Sequence, residues 1–235
     1  MPSLSDVQAE LAALADPAHA ETSKWFFKTG PGEYGENDQF RGIRVPKLRK
    51  TASKFKQLAF EDTLKLLKSP WHEDRMVALF ILTHQFNKGD DTAKTQIFEA
   101  YLAHTAYINN WDLVDCSAHK IVGPYLMDRD AGILAELVQS SSLWERRIAM
   151  MSTYYFIKNL RYTETLHLAE ALLEDKEDLI HKVVGWMLRE MGKRDMEVEE
   201  AFLQRHYKRM PRTMLRYAIE KFPEERRQAY LKGTV

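Results

Sequence analysis

The stretch HKVVGWMLREM, residues 181–191, carries a strong helical pattern. Its apolar residues recur at spacings of three and four, which places them on one face of an α-helix: Val183, Val184, Met187, Leu188 and Met191. Similar periodicity recurs in VQAELAALA, FEDTLKLLK, RMVALFILTHQF, AGILAELVQ and LHLAEALLE, whereas no segment alternates as a β-strand. The sequence therefore predicts an all-α chain of about a dozen helices.

The helical segments come in pairs that form a weak internal repeat. Alignment of the second members of these pairs places five residues at equivalent positions: Arg75, Asp115, Arg147, Lys182 and Arg216. Successive positions lie 40, 32, 35 and 34 residues apart. Two-helix repeats of this period are typical of α-solenoids, because a helix pair buries its apolar face only when the next pair stacks on it. We predict a single HEAT-like repeat domain over residues 1–235, folded as a curved α-solenoid.

The composition predicts a soluble chain in a reducing compartment. The hydrophobic share of 45% is enough for a sizeable core, in which we expect Trp25, Trp71 and Trp144 to pack. A single cysteine, Cys116, excludes an internal disulfide framework. The amino terminus reads as a capped amphipathic helix rather than a signal peptide, and no apolar run is long enough to span a bilayer. We expect a cytoplasmic monomer with no membrane association.

A basic and aromatic face flanks the apolar stripe of the second helices. In residues 182–193, Lys182, Trp186, Arg189 and Lys193 follow one another at helical spacing. Solenoids present equivalent faces side by side on a concave surface. The predicted face collects Trp111 and Trp186 with these cations: Arg75, Arg147, Lys182, Arg189, Lys193, Arg212 and Arg216. The net charge of zero hides this local surface, which suits duplex DNA; for each cation, solvated surface is the alternative.

Residues 29–50, TGPGEYGENDQFRGIRVPKLRK, interrupt the helical pattern. The first half is a glycine-rich loop, and it is not a P-loop because no Gly-Lys-Ser/Thr follows. The second half opens residues 41–58, which contain seven Lys or Arg and no Asp or Glu. This segment is either a solvated loop and helix face or a source of phosphate contacts, for which Lys and Arg are the natural donors. In the second case Arg44 and Lys47 join the DNA-binding residues.

Asp115 is an acid at a position where the other repeats carry a cation. It lies in NNWDLVDCSAHK, residues 109–120, one helical turn after Trp111. A carboxylate that faces phosphates weakens binding through like-charge repulsion, so affinity alone does not explain it. A reaction that develops positive charge does explain it, and cleavage of an N-glycosidic bond in DNA creates an oxocarbenium-like sugar. The alternative is that Asp115 pairs with Arg147 or another cation and serves the fold.

Other kinds of chemistry have little support in the sequence. The eight histidines form no metal-ligand motif, and a structural zinc site is poorly compatible with one cysteine. There is no nucleophile elbow and no dinucleotide fingerprint. We therefore expect neither a metal nor a cofactor.

The stretches NNWDLVD, LWERRIA and IHKVVGWMLRE resemble those of the AlkD-type alkylpurine DNA glycosylases, a HEAT-like repeat family of DNA alkylation repair. The likeness extends over roughly residues 20–222. In that family a Trp, an Asp one turn later, an Arg from the next repeat and a Trp from the following repeat surround the lesion-bearing nucleotide. The resemblance implies that Trp111, Asp115, Arg147 and Trp186 are these residues.

The resemblance further implies a monofunctional DNA glycosylase, a hydrolase of base-excision repair that acts on duplex DNA containing alkylated bases. Its lesions are positively charged purines such as 3-methyladenine and 7-methylguanine, which leave readily as neutral bases without a general acid. Unlike most glycosylases, the family contacts the deoxyribose from the backbone side and does not flip the base into a pocket. The alternatives are a non-catalytic HEAT-like protein that binds duplex or branched DNA, and a protein-binding scaffold.

Overall fold

The computed structural model describes residues 2–235, and α-helices dominate this part of the chain. It contains fourteen α-helices and no β-strand, so the prediction of an all-α fold is confirmed. Backbone contacts divide the chain into two compact units, Met1–Ser117 (unit 1) and Ala118–Val235 (unit 2). The single curved solenoid over residues 1–235 stays a prediction.

Unit 1 contains six helices and the start of a seventh. These are α1 (Leu4–Ala13), α2 (Pro17–Phe26), α3 (Val45–Lys54), α4 (Phe60–Leu67), α5 (His72–Lys88), α6 (Asp91–Ala103) and the first turns of α7 (Trp111–Leu126). Local signals define the first helices: Ser3 and Asp6 form a capping box before α1, and the Asp16 side chain caps α2. The predicted break at Pro17 is therefore the first turn of a new helix.

Helix α5 is the central element of unit 1. Helices α1, α3, α4 and α6 pack around it, and every residue from His72 to Leu82 is buried. Its first turn is nonetheless strongly polar, with the sequence His-Glu-Asp-Arg at residues 72–75. Buried polar groups of this kind need hydrogen-bonding partners, and the preceding loop supplies many of them.

The glycine-rich loop is attached to the first turn of α5. The carboxylate of Glu73 accepts hydrogen bonds from three consecutive backbone N–H groups, those of residues 41–43, at 2.7–3.1 Å. The guanidinium of Arg41 makes a two-pronged ion pair with Asp74, at 2.7 and 3.1 Å. The end of the loop is thus fixed where α3 begins, and Arg41 serves the fold rather than a phosphate.

Unit 2 continues the alternation of first and second helices. It contains the rest of α7, then α8 (Gly132–Leu137), α9 (Leu143–Lys158), α10 (Thr163–Ala171), α11 (Asp178–Gly192), α12 (Met196–His206), α13 (Arg212–Ala218) and α14 (Glu224–Lys232). The second helices α9, α11 and α13 pack side by side, while α8, α10 and α12 pack against them. This arrangement within unit 2 agrees with the repeat that the sequence predicts.

Two glycines allow the second helices of unit 2 to approach closely. A Cβ atom on Gly185 of α11 would lie 2.4 Å from the carbonyl oxygen of Met214 in α13. A Cβ atom on Gly123 of α7 would lie 2.4 Å from the carbonyl oxygen of Ser152 in α9. Any side chain at these positions would push the helices apart, since protein interiors are close-packed.

Glu199 is a buried acid in the contact between α11 and α12. Its side chain is 1% exposed and fills the space left by Gly192, where a Cβ atom would overlap it. Burial, reinforced by the nearby Glu200 charge and opposed by Arg189, raises the pKa of Glu199 to about 8. The carboxyl is therefore mostly neutral at pH 7.

We expect Glu199 to make the stability of the protein depend on pH. The ordinary pKa of this acid is 4.5, so the stability that its neutral form provides is complete below that pH and is lost as the pH rises through about 8. The Glu199→Gln variant is neutral at every pH. Between about pH 5 and pH 8 the Tm of the wild type should fall by several degrees relative to the variant, measured by circular dichroism. Parallel Tm curves for the two proteins would contradict this assignment.

Candidate functional site

The first turns of α7 carry two of the predicted site residues, Trp111 and Asp115. Both are half-buried, and Asp115 follows Trp111 by one helical turn, so the two side chains share one face of the helix. The buried Asn110 fixes the start of this helix, because its side-chain oxygen accepts a hydrogen bond from the backbone N–H of Trp111 at 2.8 Å. Leu113 and Val114 point into the core and are fully buried.

Three phenylalanine rings gather around Trp111. Phe27 stacks on Trp111 with ring centroids 5.6 Å apart, and on Phe40 at 5.1 Å with an angle of 12° between the planes. Phe26 meets Trp111 edge-on at 5.8 Å. We call Phe26, Phe27, Phe40 and Trp111 the aromatic cluster. Such offset and edge-on arrangements are the favourable geometries for aromatic pairs, so the cluster holds the Trp111 ring in a defined position.

The prediction that Trp25 packs in the core is wrong. Its ring is 75% exposed, and the neighbouring Phe26 is 53% exposed. Residues 25–27 are three successive aromatics at the end of α2, and successive helical residues point in different directions. Only Phe27 of the three faces the interior. Trp71 and Trp144 are half-buried rather than fully enclosed.

Unit 1 contains a cavity of about 390 Å³ beside the aromatic cluster. The rings of Trp25, Phe26, Phe27 and Phe40 line it, together with the apolar side chains of α3 and α5. Arg44 lies at the same cavity, as do the carboxylates of two residues, Glu73 and Asp112. The cavity is lined mainly by aromatic and aliphatic side chains and has a few charged groups, which is the usual composition of a small-molecule site.

A chain of buried charges borders the cavity, and two of its members, His72 and Asp112, line it. Both ring nitrogens of His72 donate hydrogen bonds to carboxylates, Nε2 to Asp112 and Nδ1 to Asp38, each at 2.9 Å. Asp38 in turn accepts a hydrogen bond of 2.6 Å from the guanidinium of Arg75. We call Asp38, His72, Arg75 and Asp112 the charge network. It joins the glycine-rich loop, the start of α5 and the start of α7 within unit 1.

His72 is a protonated imidazolium in this network. Burial by itself lowers the pKa of His72, but the charges and hydrogen bonds of Asp112 and Asp38 outweigh it and raise the pKa to about 9. The imidazolium ring also contacts two phenylalanines, with centroids 4.9 Å from Phe27 and 4.7 Å from Phe40. His72 thus fixes the aromatic rings and the start of α7 together.

The structure corrects the prediction that Arg75 lies on the exposed basic face. The residue is 4% exposed, and its guanidinium is engaged by Asp38 and by the backbone carbonyls of Ser69 and Pro70. The helical register that exposes cations in other repeats does not expose this one, because α5 is covered on all sides. Arg75 therefore belongs to the charge network.

Unit 2 carries the other two residues that the resemblance implies. Arg147 is 4% exposed, and its guanidinium donates a 2.5 Å hydrogen bond to the carbonyl oxygen of Leu179 near the start of α11. Trp186 is half-buried on α11, and its ring lies 6.2 Å from Tyr154, which also contacts His119 at 5.5 Å. Trp186 is thus one end of a row of rings on α7, α9 and α11.

The predicted cations of α11 differ in how far they reach solvent. Lys182 and Lys193 keep a 40% exposed side chain and pair with acids on their own helix, Asp178 at 2.7 Å and Glu190 at 2.5 Å. The side chain of Arg189 is only 15% exposed and forms an ion pair with Glu220. Arg189 therefore fastens α11 to the turn after α13 and is the least accessible of the three.

The remaining predicted DNA contacts lie on the surface of their own units. Arg44 and Lys47 are exposed at the start of α3 in unit 1. Arg212 and Arg216 are exposed on α13 in unit 2, and Arg212 also donates a hydrogen bond to the carbonyl oxygen of Leu231 at 2.7 Å. These four side chains have the exposure that a phosphate contact requires.

Sequence reasoning missed the cavity and the charge network. The run Trp25-Phe26-Phe27 was a usable signal, since three adjacent aromatics on a helix cannot all enter one core. The polar first turn of α5, His-Glu-Asp-Arg, was another, because it directly precedes a long apolar run and needs buried partners. The partners themselves, Asp38 and Asp112, lie more than thirty residues away in the chain and have no local pattern.

Comparison with known proteins identifies similar chains. A family model described as "DNA alkylation repair enzyme" matches residues 7–222. A solved structure titled "Predicted DNA alkylation repair enzyme from Enterococcus faecalis" is similar with a TM-score of 0.70 at 14% identity, covering 89% of this chain and 97% of that one. At this identity the second likeness concerns the fold. No curated protein matches the sequence.

Residues 2–235 contain neither a candidate membrane span nor a candidate metal site. No helix in this range has the length and apolar character needed to cross a membrane. No group of three or more His, Cys, Asp or Glu side chains in the same range is arranged to hold a metal ion.

Proposed function

Because the chain belongs to the DNA alkylation repair enzyme family, we propose that it is a monofunctional glycosylase that removes positively charged alkylated purines from duplex DNA. The proposed substrates are lesions of the 3-methyladenine and 7-methylguanine type. Asp115 is the proposed catalytic residue, and Trp111, Arg147 and Trp186 are the proposed groups that enclose the damaged nucleotide with it. Base flipping is not part of the proposed mechanism.

The observation that carries this proposal is the placement of Asp115 on α7. The carboxylate is half-buried, one turn from a tryptophan whose ring is fixed by the aromatic cluster. A partly desolvated anion interacts more strongly with a nearby cation than a fully solvated anion does. An aromatic face beside it offers a second favourable contact for a cationic sugar. A protein that only binds DNA gains nothing from this acid, because it repels phosphates.

The proposed reaction breaks the bond between the sugar C1′ and the purine nitrogen. The bonding electrons go to the purine, which becomes neutral because it began as a cation, and the sugar becomes an oxocarbenium-like cation. Asp115 stabilises that cation electrostatically and orients a water molecule, whose oxygen forms the new bond to C1′ and whose extra proton is released to solvent. A preorganised charge of this kind contributes about 3–4 kcal/mol to lowering the barrier.

The direct test is release of methylated purines from methylated duplex DNA. Purified protein in a metal-free, cofactor-free buffer with a chelator should release 7-methylguanine or 3-methyladenine, detected by chromatography and mass spectrometry. Heat-treated protein and unmethylated DNA are the controls. Tight binding of the same duplex without any release would favour the alternative, a non-catalytic protein that binds duplex or branched DNA.

The exposed cations Lys193 and Arg216 provide a separate prediction about affinity. Replacing both by Glu should weaken binding to every duplex sequence and make the salt dependence of log K shallower by about two, because each phosphate contact contributes about 0.9. The Tm should change little, since neither residue is buried. Fluorescence anisotropy across a salt series measures both quantities. The control is the same charge change at Lys88 and Lys208, which are exposed outside the predicted face; an equal loss in this control would refute the assigned surface.

A further inference from the structure

We propose that the aromatic cavity of unit 1 binds one unstacked nucleobase of a DNA strand. This site goes beyond the proposed function, because excision as described above requires no pocket for a base. Four rings line the cavity, and two of them, Trp25 and Phe26, are largely exposed. Large aromatic rings that remain in water beside a concave surface indicate a binding site, since a folded chain normally buries such rings.

The cavity is prepared for a flat ligand. Phe27 and Phe40 line it and stack nearly parallel to each other, and the His72 imidazolium contacts both rings. His72 is itself fixed by hydrogen bonds to two carboxylates. A rigid set of ring faces loses little entropy when a ligand stacks on it, so a planar base is favoured over a flexible apolar chain. Every nucleobase has a π-face for such stacking, whatever its sequence context.

The charges around the cavity favour a nucleotide over an uncharged flat ligand. Arg44 lines the cavity, and Lys47 and Lys50 follow at spacings of three residues along the exposed side of α3. This places a line of cations next to the rings, as single-strand binding surfaces do, where cations contact the phosphates and aromatics contact the bases.

The two acids at the cavity do not oppose this assignment. Glu73 accepts hydrogen bonds from the backbone N–H groups of residues 41–43, and Asp112 accepts one from the His72 imidazolium. Their charges are thus already compensated within the protein, whereas Arg44 is exposed on the cavity side of α3. Arg44 is therefore the exposed charged group beside the cavity that a phosphate next to the bound base can contact.

The experiment uses undamaged DNA in which one base is unpaired. Two duplexes are compared, one fully paired and one with a single 2-aminopurine bulge, whose fluorescence falls when the base stacks on an aromatic ring. The wild-type protein should bind the bulged duplex at least about tenfold more tightly and quench the probe, because each stacking ring contributes roughly tenfold in affinity. Equal affinity for both duplexes, or a probe that stays bright when bound, overturns the proposal.

Variants test whether the preference for the bulged duplex arises in the cavity. Trp25→Ala should remove the preference for the bulge and the quenching, while affinity for the paired duplex and the Tm stay as in the wild type, because the ring is 75% exposed and lies outside the aromatic cluster. The matched control is Tyr107→Ala, which removes a 38% exposed ring that does not line the cavity, and it should keep the preference. A Trp25→Ala variant that retains the preference overturns the proposal.

A comparison of two variants, each lacking one cation, tests whether the site contacts a phosphate. Arg44→Ala should weaken binding of the bulged duplex more than Lys56→Ala, which removes an exposed cation from the same basic segment but away from the cavity. Equal losses in the two variants exclude a specific role for Arg44 and overturn that part of the proposal. Excision plays no part in these measurements, so a failed glycosylase assay and a failed bulge assay are independent outcomes.

Discussion

Replacing Asp115 by Asn is expected to slow the release of a methylated purine by on the order of a hundredfold or more. The change keeps the size of the side chain and removes its charge, so the stabilisation of the cationic sugar is lost at the moment of bond cleavage. Affinity for undamaged duplex should stay equal or rise slightly, because an anion near the phosphates has been removed. Single-turnover excision, duplex affinity and Tm are measured on the same preparation.

A purely structural role for Asp115 predicts the opposite results. If the carboxylate only pairs with a neighbouring cation, Asp115→Asn lowers the Tm and leaves the chemistry of the folded protein intact. Asp112→Asn is the matched control, one turn earlier on the same helix, since Asp112 accepts a hydrogen bond from the buried His72. Asp112→Asn should lower the Tm, whereas a catalytic role for Asp115 predicts that Asp115→Asn leaves the Tm unchanged. Full excision activity in Asp115→Asn would refute the catalytic assignment.

The helices were predictable because their signals are local. Apolar spacings of three and four, the side-chain caps and the breaks at Pro17, Pro70 and Pro211 are all contained within short segments. The repeat of second helices was also predictable, since each one must bury the same stripe against its neighbours. The fully buried stripe of α11, from Val183 to Met191, agrees with this reasoning.

Exposure was less predictable than helical register. Arg75 and Lys182 are aligned in the sequence repeat, yet Arg75 is enclosed and the Lys182 side chain is 40% exposed. The difference arises because α5 lies among α1, α3, α4 and α6, and α1 and α3 lie outside the repeat that the sequence reveals. A register places a side chain on one side of a helix, but only the surrounding elements decide whether that side meets water.

The candidate site was predictable to different degrees in its parts. The pairing of Trp111 with Asp115 on one face follows from their spacing of four residues. The cavity does not follow from any spacing, because its rings come from the end of α2 and from the glycine-rich loop. The contacts that bring these segments together, the stacking of Phe27 on Phe40 and the ion pairs of the charge network, join residues that are not neighbours in the chain.

Replacing His72 by Gln is expected to lower the free energy of unfolding by about 3–5 kcal/mol, the usual cost of removing one partner from a buried ion pair. In this variant Asp38 and Asp112 no longer have a cation between them, and the network retains only Arg75. Denaturant titration measures the loss. The stacking of Phe27 and Phe40 on the ring is lost as well, which adds to the effect.

The pH dependence of the loss separates a charged His72 from a neutral one. The ordinary pKa of 6.5 is raised to about 9 in the folded protein, so the stabilisation is complete below about pH 6.5 and is lost as the pH rises through about 9. The difference in unfolding free energy between wild type and His72→Gln should therefore shrink over that interval.

A double variant tests the same ion pair at a single pH. Combining His72→Gln with Asp112→Asn should lower the free energy of unfolding by less than the sum of the single variants, because both remove the same interaction. A difference that is constant from pH 6 to pH 9.5, together with additive costs, would show that His72 contributes by packing alone.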